Sequence, residues 1–525
     1  MTHGYLAIVL HAHLPFVRHP EHERFLEETW LFEAVVECYL PLLQAMEGWA
    51  RDKLPVRLTL SLSPTLCAML RDPLLQSRCR RHLETLMDLA EKEVVRTHWE
   101  KSCGDLAGFY QERFRSLRAQ YDRYGGDLVA AFGRLQEAGL LEIITCPATH
   151  AVLPLLLSHP QSLRAQIMVA RDHYQSCFGG APRGIWLPEC AYAPGMERFL
   201  ADADLRWFIL DTPGLRHARP RPRHGVFAPV FTPSGVAAFG RDPASARQVW
   251  SRHEGYPGEP RYRDFYRDIG FDLDLSYVEP HLPPAAGRTF TGIKYHRVTG
   301  PKHEKLVYHR GEALAAAETH AAHFLQMRQE HVRRLAAVMK QPPVLVAPYD
   351  AELFGHWWYE GPEFLDLFVR KATAGPQTIA LITPTDYLRR HPTHLAATPA
   401  ASTWGEGGHL KVWLNEKNSW LYPPLREAQQ QMTTLARRHP QAQGLVKRAL
   451  EQAARELLLA QASDWPFILT TGTSPAYAGQ RFRDHISRFQ RLAAQLADGT
   501  LDEHVLCKCE NQDNLFPQVA YHYWE

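Results

Sequence analysis

The sequence predicts an α/β barrel followed by a helical domain. Three observations carry that expectation: short β-branched runs recur along the first 390 residues, helical patterns separate most of them, and residues 414–499 are helical in pattern almost throughout. Strands alternating with helices over such a length argue for a parallel sheet, most simply a barrel. The strand runs are YLAIVL (5–10), VRLTLSL (56–62), LLEIITC (140–146), RGIWL (183–187), LRWFIL (205–210), PVLVAP (343–348) and TIALIT (378–383). Helices are expected over 30–49, 106–137, 162–177 and 311–339, and the helical stretch from about 74 to 138 reads as an insertion between the second and third strands. Residues 212–300 break the rhythm. They open with TPGLRHARPRPRHG, an irregular loop, and continue into VFAPVFTPSGVAAFGRD, which reads as short strands. HPTHLAATPAAST (391–403) reads as a linker, so the expected domains are 1–390 and 404–525.

Composition narrows the partners. The chain has 525 residues and a formal net charge of +2, from 59 basic and 57 acidic side chains. That balance gives no electrostatic case for nucleic acid or an anionic membrane. Thirteen tryptophans suit sugar stacking and core filling equally. Nine cysteines cannot all pair, and their scatter suits a reducing cytoplasm. Only Cys507 and Cys509 are close, a weak metal or redox signal. The start, MTHGYLAIVLHAHLPF, lacks a basic n-region and reads as a first strand rather than a signal peptide. No segment is long and apolar enough to span a bilayer.

In such barrels ligands meet the C-terminal strand ends. That rule selects His11 and His13, Thr149 and His150, Glu189 in IWLPECAY, and Asp350 in APYDAELFGHWWYEG. Asp350 with Trp357 and Trp358 close behind suggests an acid beside a flat, hydroxyl-bearing ligand; the plainer alternative is a helix cap and core tryptophans. Two carboxylates on different strands, Glu189 and Asp350, are the minimum set for cleaving a glycosidic bond. HAH at 11–13 puts two imidazoles on one strand face, which with His150 or Asp350 could bind zinc. A metal-dependent sugar deacetylase is therefore a rival; otherwise these histidines bond sugar hydroxyls or a catalytic carboxylate. WGEGGHLKVWLNEKNSWLY brings Trp404, Trp413 and Trp420, with glycines that let the backbone approach a ligand, or else a turn and a packed helix. Asp464 in SDWPF by itself marks only a helix start. A glucan-binding regulator is the non-enzymatic alternative, but a pure binder needs neither Glu189 nor Asp350.

Taken in order, HAHLP, TCPATHAVLPLL, GIWLPECAY, APYDAELFGHWWYEG and WGEGGHLKVWLNEKNSWLY resemble the five motif regions of glycoside hydrolase family 57, and within it the 1,4-α-glucan branching subgroup. The resemblance spans nearly the whole chain. It implies an incomplete (β/α)7 barrel with a helical insertion and a C-terminal helical domain. It also implies retaining cleavage of α-1,4-glucan and transfer to a 6-hydroxyl, with neither metal nor cofactor. Glu189 would be the nucleophile and Asp350 the general acid/base. His11, His13 and His150 would line the donor subsites, and Arg241, Gly258, Trp404 and Asp464 match glucan-binding positions; Trp357 and Trp413 join the expected substrate-binding set. One departure stands out. Efficient branching members are expected to carry a mobile loop with a Tyr over the site, whereas residues 212–227, TPGLRHARPRPRHGVF, are short and lack one. An α-amylase-like hydrolase is therefore the second expectation.

Overall fold

The structure is a computed structural model that describes residues 2–251, 254–284, 286–300, 304–375 and 378–525. Among the described residues ten strands form: β1 (Gly4–Ala12), β2 (Leu58–Leu62), β3 (Leu141–Ile144), β4 (Gly184–Ile185), β5 (Trp207–Leu210), β6 (Val230–Phe231), β7 (Ala237–Gly240), β8 (Val344–Asp350), β9 (Ile379–Leu381) and β10 (Leu395–Ala396). Each of the seven runs read from the sequence holds one of them. Parallel pairing follows the order β3-β2-β1-β8 and, in a second set, β4-β5-β7. Isolated parallel bridges, Thr145 to Ile185 and Arg241 to Val346, bring the edges of the two sets together.

β1 is the central strand. It pairs with β8 along one edge and with β9 and then β2 along the other, and all nine of its residues are buried. That burial on both faces is why GYLAIVLHA reads as a continuous apolar run and not as an alternation. The register places His11 opposite Ser61 of β2 and opposite Asp350 of β8 at once. Ser63, two residues past Ser61, caps the helix Pro64–Leu70 by accepting the Leu66 N–H at 3.3 Å. Such a cap contributes about 1 kcal/mol. The end of β2 is thereby fixed beside the end of β1.

The stretch after β2 is helical, with Pro73–Arg96 and Lys101–Arg123 packed against each other and followed by Leu128–Glu137. The C-terminal region is helical as well: Tyr422–Arg438, Gly444–Ala460, Asp464–Thr471, Pro475–Asp498 and Glu503–Gln512. It packs around Leu457, Trp465 and Phe489, all fully buried. It docks on the loop after β1, where an Arg481 N–H donates to the Phe16 carbonyl at 3.2 Å, and Asn514 donates to Asp72, the same carboxylate that accepts from Arg18.

Residues 391–403 are not a free linker. β10 pairs with β6, Thr398 and Arg219 exchange two backbone hydrogen bonds, and Ser402 and Tyr192 exchange two more. Pro, Ala and Thr give no periodicity, so the sequence hides a segment whose backbone is bonded to other chain segments at four points, the fourth from the Ala400 N–H to the Gly214 carbonyl. Among the described residues, no helix is long and apolar enough to cross a membrane. All nine cysteines are free; Cys507 is exposed and Cys509 buried on one helix.

Candidate active site

The strand ends meet at a cluster of three histidines and three carboxyl groups. The β1–β2 register gives each histidine of HAH its own serine: His11 Nδ1 lies 3.0 Å from Ser61 Oγ, and His13 Nδ1 lies 2.8 Å from Ser63 Oγ. His11 Nε2 faces His150 Nε2 at 2.9 Å, and His150 Nδ1 meets Ser463 Oγ at 2.7 Å. A one-way chain of hydrogen bonds from Ser61 to Ser463 satisfies all four ring nitrogens with both imidazoles neutral. Burial, and then the nearby His13, push His11 and His150 well below the usual histidine range, which keeps them neutral. The Trp186 indole stacks on His11 with centroids 4.5 Å apart.

His13 turns elsewhere. Its Nε2 sits 3.2 Å from both oxygens of Asp464, which comes from the helical region. Among the described residues the grouping with metal-ligand reach in this part of the molecule is therefore His11, Cys146 and His150, without His13. The pairing of His11 with His13 on one ion, which HAH suggested, is not the observed arrangement.

Glu189 follows β4 in the turn Pro188–Cys190, with φ +62°, and His150 has φ +59°. Neither is glycine, so each position costs about 1–3 kcal/mol that neighbours must hold. At Glu189 the holders are known: its carbonyl accepts the Trp404 N–H and the Thr403 hydroxyl, both at 2.9 Å. The Trp404 indole N–H donates to Glu189 Oε2 at 2.7 Å. The Trp404 ring is partly covered, by Trp186 edge-on at 5.2 Å and by the Arg241 guanidinium 5.1 Å from its ring centre.

Asp350 ends β8, and Glu352 follows it in the turn Ala351–Leu353. Glu352 Oε1 accepts the Tyr39 hydroxyl at 2.5 Å and the His13 N–H at 3.3 Å. Burial pushes Glu189 up to about 8, against the pull of the Trp404 bond and reinforced by the Asp350 charge. Burial also raises Asp350 to about 6, tempered by Arg241 and His13, and Glu352 to about 8. Between pH 6 and 8 the Glu189–Asp350 pair therefore holds one proton, as an acid plus an anion.

Two predictions arise here. The pH profile of kcat/KM is expected to be bell-shaped, with limbs near 6 and 8. Below the lower limb the anion is lost, and above the upper one the acid is lost. Arg241→Gln removes a cation that lowers Asp350, so its acid limb is expected to move upward; an unmoved limb contradicts the assignment. The second concerns Trp404→Phe, which keeps a ring but deletes the bond to Glu189. It should lower kcat about 10²-fold on glucan and on a small activated glucoside alike, the scale of one lost charge-directed donor. A loss confined to the polymer assigns Trp404 to chain binding alone.

The expected substrate-binding residues divide. His11, His13, His150, Arg241, Trp404 and Asp464 surround the carboxyl pair. Trp357 is 54% exposed and stacks on Phe265 at 4.5 Å, so it offers an open aromatic face. Trp413 is 2% exposed, packed with Val152 and Ala191, and has no face to offer a ligand. Its neighbour Gly405 is glycine because a Cβ there would meet the Trp413 ring at 2.7 Å; the close approach serves packing, not a ligand. Gly258 lies in the turn Tyr256–Gly258, and its N–H bonds to Gly255 within that loop. The sequence reading assigned no role to Ser61, Ser63, Tyr39, Glu352 or Ser463. The two serines carried a signal, since SLS alternates at a strand end as HAH does.

Comparison with known proteins places this geometry. The model described as glycosyl hydrolase family 57 matches residues 7–398, and that described as 1,4-alpha-glucan branching enzyme, C-terminal, matches 424–524. A 1,4-alpha-glucan branching enzyme of Thermococcus kodakarensis is 31% identical, over 98% of this chain and 78% of that protein. The crystal structure of the α-amylase AmyC from Thermotoga maritima superposes with a TM-score of 0.93 at 43% identity, over 99% of both chains. That of a GH57-type branching enzyme from Pyrococcus horikoshii superposes with a TM-score of 0.90 at 31% identity, over 100% of this chain and 97% of that one. With three quarters of its length inside the family match, and the carboxyl pair carried on the strand ends of that region, the chain belongs to glycosyl hydrolase family 57.

Proposed function

We propose that this chain is a 1,4-α-glucan branching enzyme that cleaves an α-1,4 bond and transfers the chain to a 6-hydroxyl with retention. The observation that carries the reading is the proton-sharing pair Glu189 and Asp350, closed over by Trp404 and Asp464. Glu189 attacks the anomeric carbon to give a β-glucosyl–enzyme, and Asp350 protonates the departing oxygen. In the empty site the shared proton favours Glu189. Positive charge developing on the bound sugar stabilises the Glu189 carboxylate and moves that proton to Asp350. Asp350 then deprotonates the incoming 6-hydroxyl. Neutral His11 and His150, with His13 held by Asp464, line the donor side of the cleft and fix the place of the carboxyl groups beside it. We read the seven parallel strands β1 to β5, β7 and β8, without β6, as the incomplete (β/α)7 barrel. Residues 1–390 and 404–525 are the two domains, a division that the two family matches support. The substrate is α-glucan, the compartment the cytoplasm, and the chemistry uses no metal.

A second reading, a hydrolase of α-1,4-glucans, has its own support. The α-amylase of Thermotoga maritima is 43% identical. Residues 212–227 also lack the lid tyrosine and are fastened down: Ala400 donates to Gly214, and Arg219 pairs with Thr398. A fixed segment excludes water less well than a closing lid. Branching remains the stronger reading because a well-placed hydroxyl competes at effective molarities of about 10⁵ M or more, far above bulk water. Amylose treated with the protein is expected to gain α-1,6 linkages by proton NMR in excess of new reducing ends. Reducing ends that greatly outnumber branch points establish the hydrolase.

A further inference from the structure

Away from the carboxyl pair, two adjoining cavities open between the helix Glu28–Ala34, the helices of the 73–123 stretch and the 263–292 segment. Glu33, His82, Leu86, Phe290 and Thr291 line both. Among the described residues the buried His281 Nδ1 in the larger cavity has no hydrogen-bond partner, and the half-buried Glu33 and His82 line the same space. A buried polar atom without a partner costs about 1–3 kcal/mol unless something outside the chain supplies the bond. Three polar groups thus line one space.

The lining selects the chemistry of what fills it. In the larger cavity three acids, Glu23, Glu28 and Glu33, face three arginines, Arg24, Arg78 and Arg81. Arg78 is already spent on Glu28, and Arg81 on Glu23. The net charge of these six groups therefore lies between zero, with Glu33 ionised, and +1, with Glu33 protonated, and favours no cation. Burial raises Glu33 to about 7 and lowers His82 to about 4, so near neutrality His82 is uncharged and about half of Glu33 keeps the proton with which it can donate as well as accept. Phe25, Phe32 and Phe290 add aromatic surface. Neutral groups that donate and accept, set among aromatic rings, suit a hydroxylated ring with apolar faces.

The cavity is tied to the reaction site through the chain. The helical run that carries Glu33 continues to Glu37, which bonds His356 at 2.6 Å, and to Tyr39, which bonds Glu352. Gly355, with φ +116°, lets that contact form, because a Cβ there would meet the Glu37 carbonyl at 1.9 Å. Glu33 stands about 9 Å along the helix from Tyr39. Phe290, on the cavity wall, meets Phe265, which stacks under the exposed Trp357. An aromatic path thus leads from the loop after Asp350 to the cavity.

We propose that the cavities around Glu33 form a remote glucan subsite, which takes a glucose unit of the donor chain several units from the scissile bond, beyond Trp357. This rests on the glucan reading above. The test is calorimetric titration of maltoheptaose and of maltotriose into the full chain carrying Glu189→Gln, which blocks turnover. Adding Glu33→Ala is expected to weaken maltoheptaose about tenfold and leave maltotriose unchanged, while Glu33→Gln, which still donates and accepts, stays within about threefold. Leu86→Trp, which fills the space, should match Glu33→Ala; thermal melting checks that each variant is folded. Equal maltoheptaose affinity in folded Glu33→Ala and its parent overturns the subsite and leaves the glucan reading intact. Equal losses for both sugars also overturn it, because the group would then not be remote. Binding of neither sugar by the parent overturns both.

Discussion

Glu189→Gln is expected to abolish turnover, by roughly 10⁴-fold or more, the scale on which removal of a covalent nucleophile is felt. The fold should survive. The amide keeps the size of the carboxyl, its oxygen can still accept the Trp404 indole N–H, and the main-chain bonds to Thr403 and Trp404 that hold the left-handed turn are untouched. Removing a half-buried acid that burial raises to about 8 also relieves a desolvation cost at high pH. The sign follows from the direction of the shift: a carboxyl raised in the folded state costs stability once pH exceeds its unfolded value, increasingly up to its folded one. The variant is therefore expected to melt no lower than the parent at pH 8. Glu189→Ala with azide should return β-glucosyl azide from an activated α-glucoside, since azide then attacks the face the carboxylate has left. A fully active Glu189→Gln, or an α-azide product from Glu189→Ala, overturns the assignment.

Asp350→Ala is expected to lose about 10³-fold on amylose, within the range of general acid–base catalysis. The loss should depend on the leaving group. An activated aryl glucoside needs no proton to depart, so glucosylation of Glu189 proceeds and the intermediate accumulates as a burst. Azide should then relieve the block with the opposite stereochemical outcome to Glu189→Ala, giving α-glucosyl azide by a second inversion at the same carbon. Opposite azide anomers from the two variants identify which carboxyl attacks and which carries the proton. The same anomer from both contradicts the division of roles.

Much of the parallel sheet was legible because its strands are buried on both faces. GYLAIVLHA and VLVAPYD are continuous apolar runs that end in polar residues, and the polar residues mark the strand ends that form the candidate site. The motif HAH and the lone Glu189 and Asp350 were visible as residue types at strand ends. What those residues touch was not. His11 and His13 read as a pair on one face, yet they part company, one toward His150 and one toward Asp464. Trp404 read as a sugar platform, yet its N–H holds Glu189 while its ring is partly covered. Trp413 read like its neighbours and proved to be core. Composition could not separate these, because an indole stacks, packs or donates with the same atoms, and its surroundings choose.

The sequence by itself determined the order of strands and helices, the two helical regions, and the residues of the rim, because local periodicity and burial pattern follow from side-chain chemistry along the chain. Tertiary structure alone decided the partners. Register sets His11 between Ser61 and Asp350, and docking of the helical region brings Ser463 and Asp464 more than 300 residues in sequence to His150 and His13. Burial then moves the carboxyl pair to about 8 and about 6. The physical reason is range. Periodicity is a property of neighbours a few residues apart, whereas a hydrogen bond, a left-handed turn held by a distant carbonyl contact, and a desolvated charge exist only once remote segments share a space.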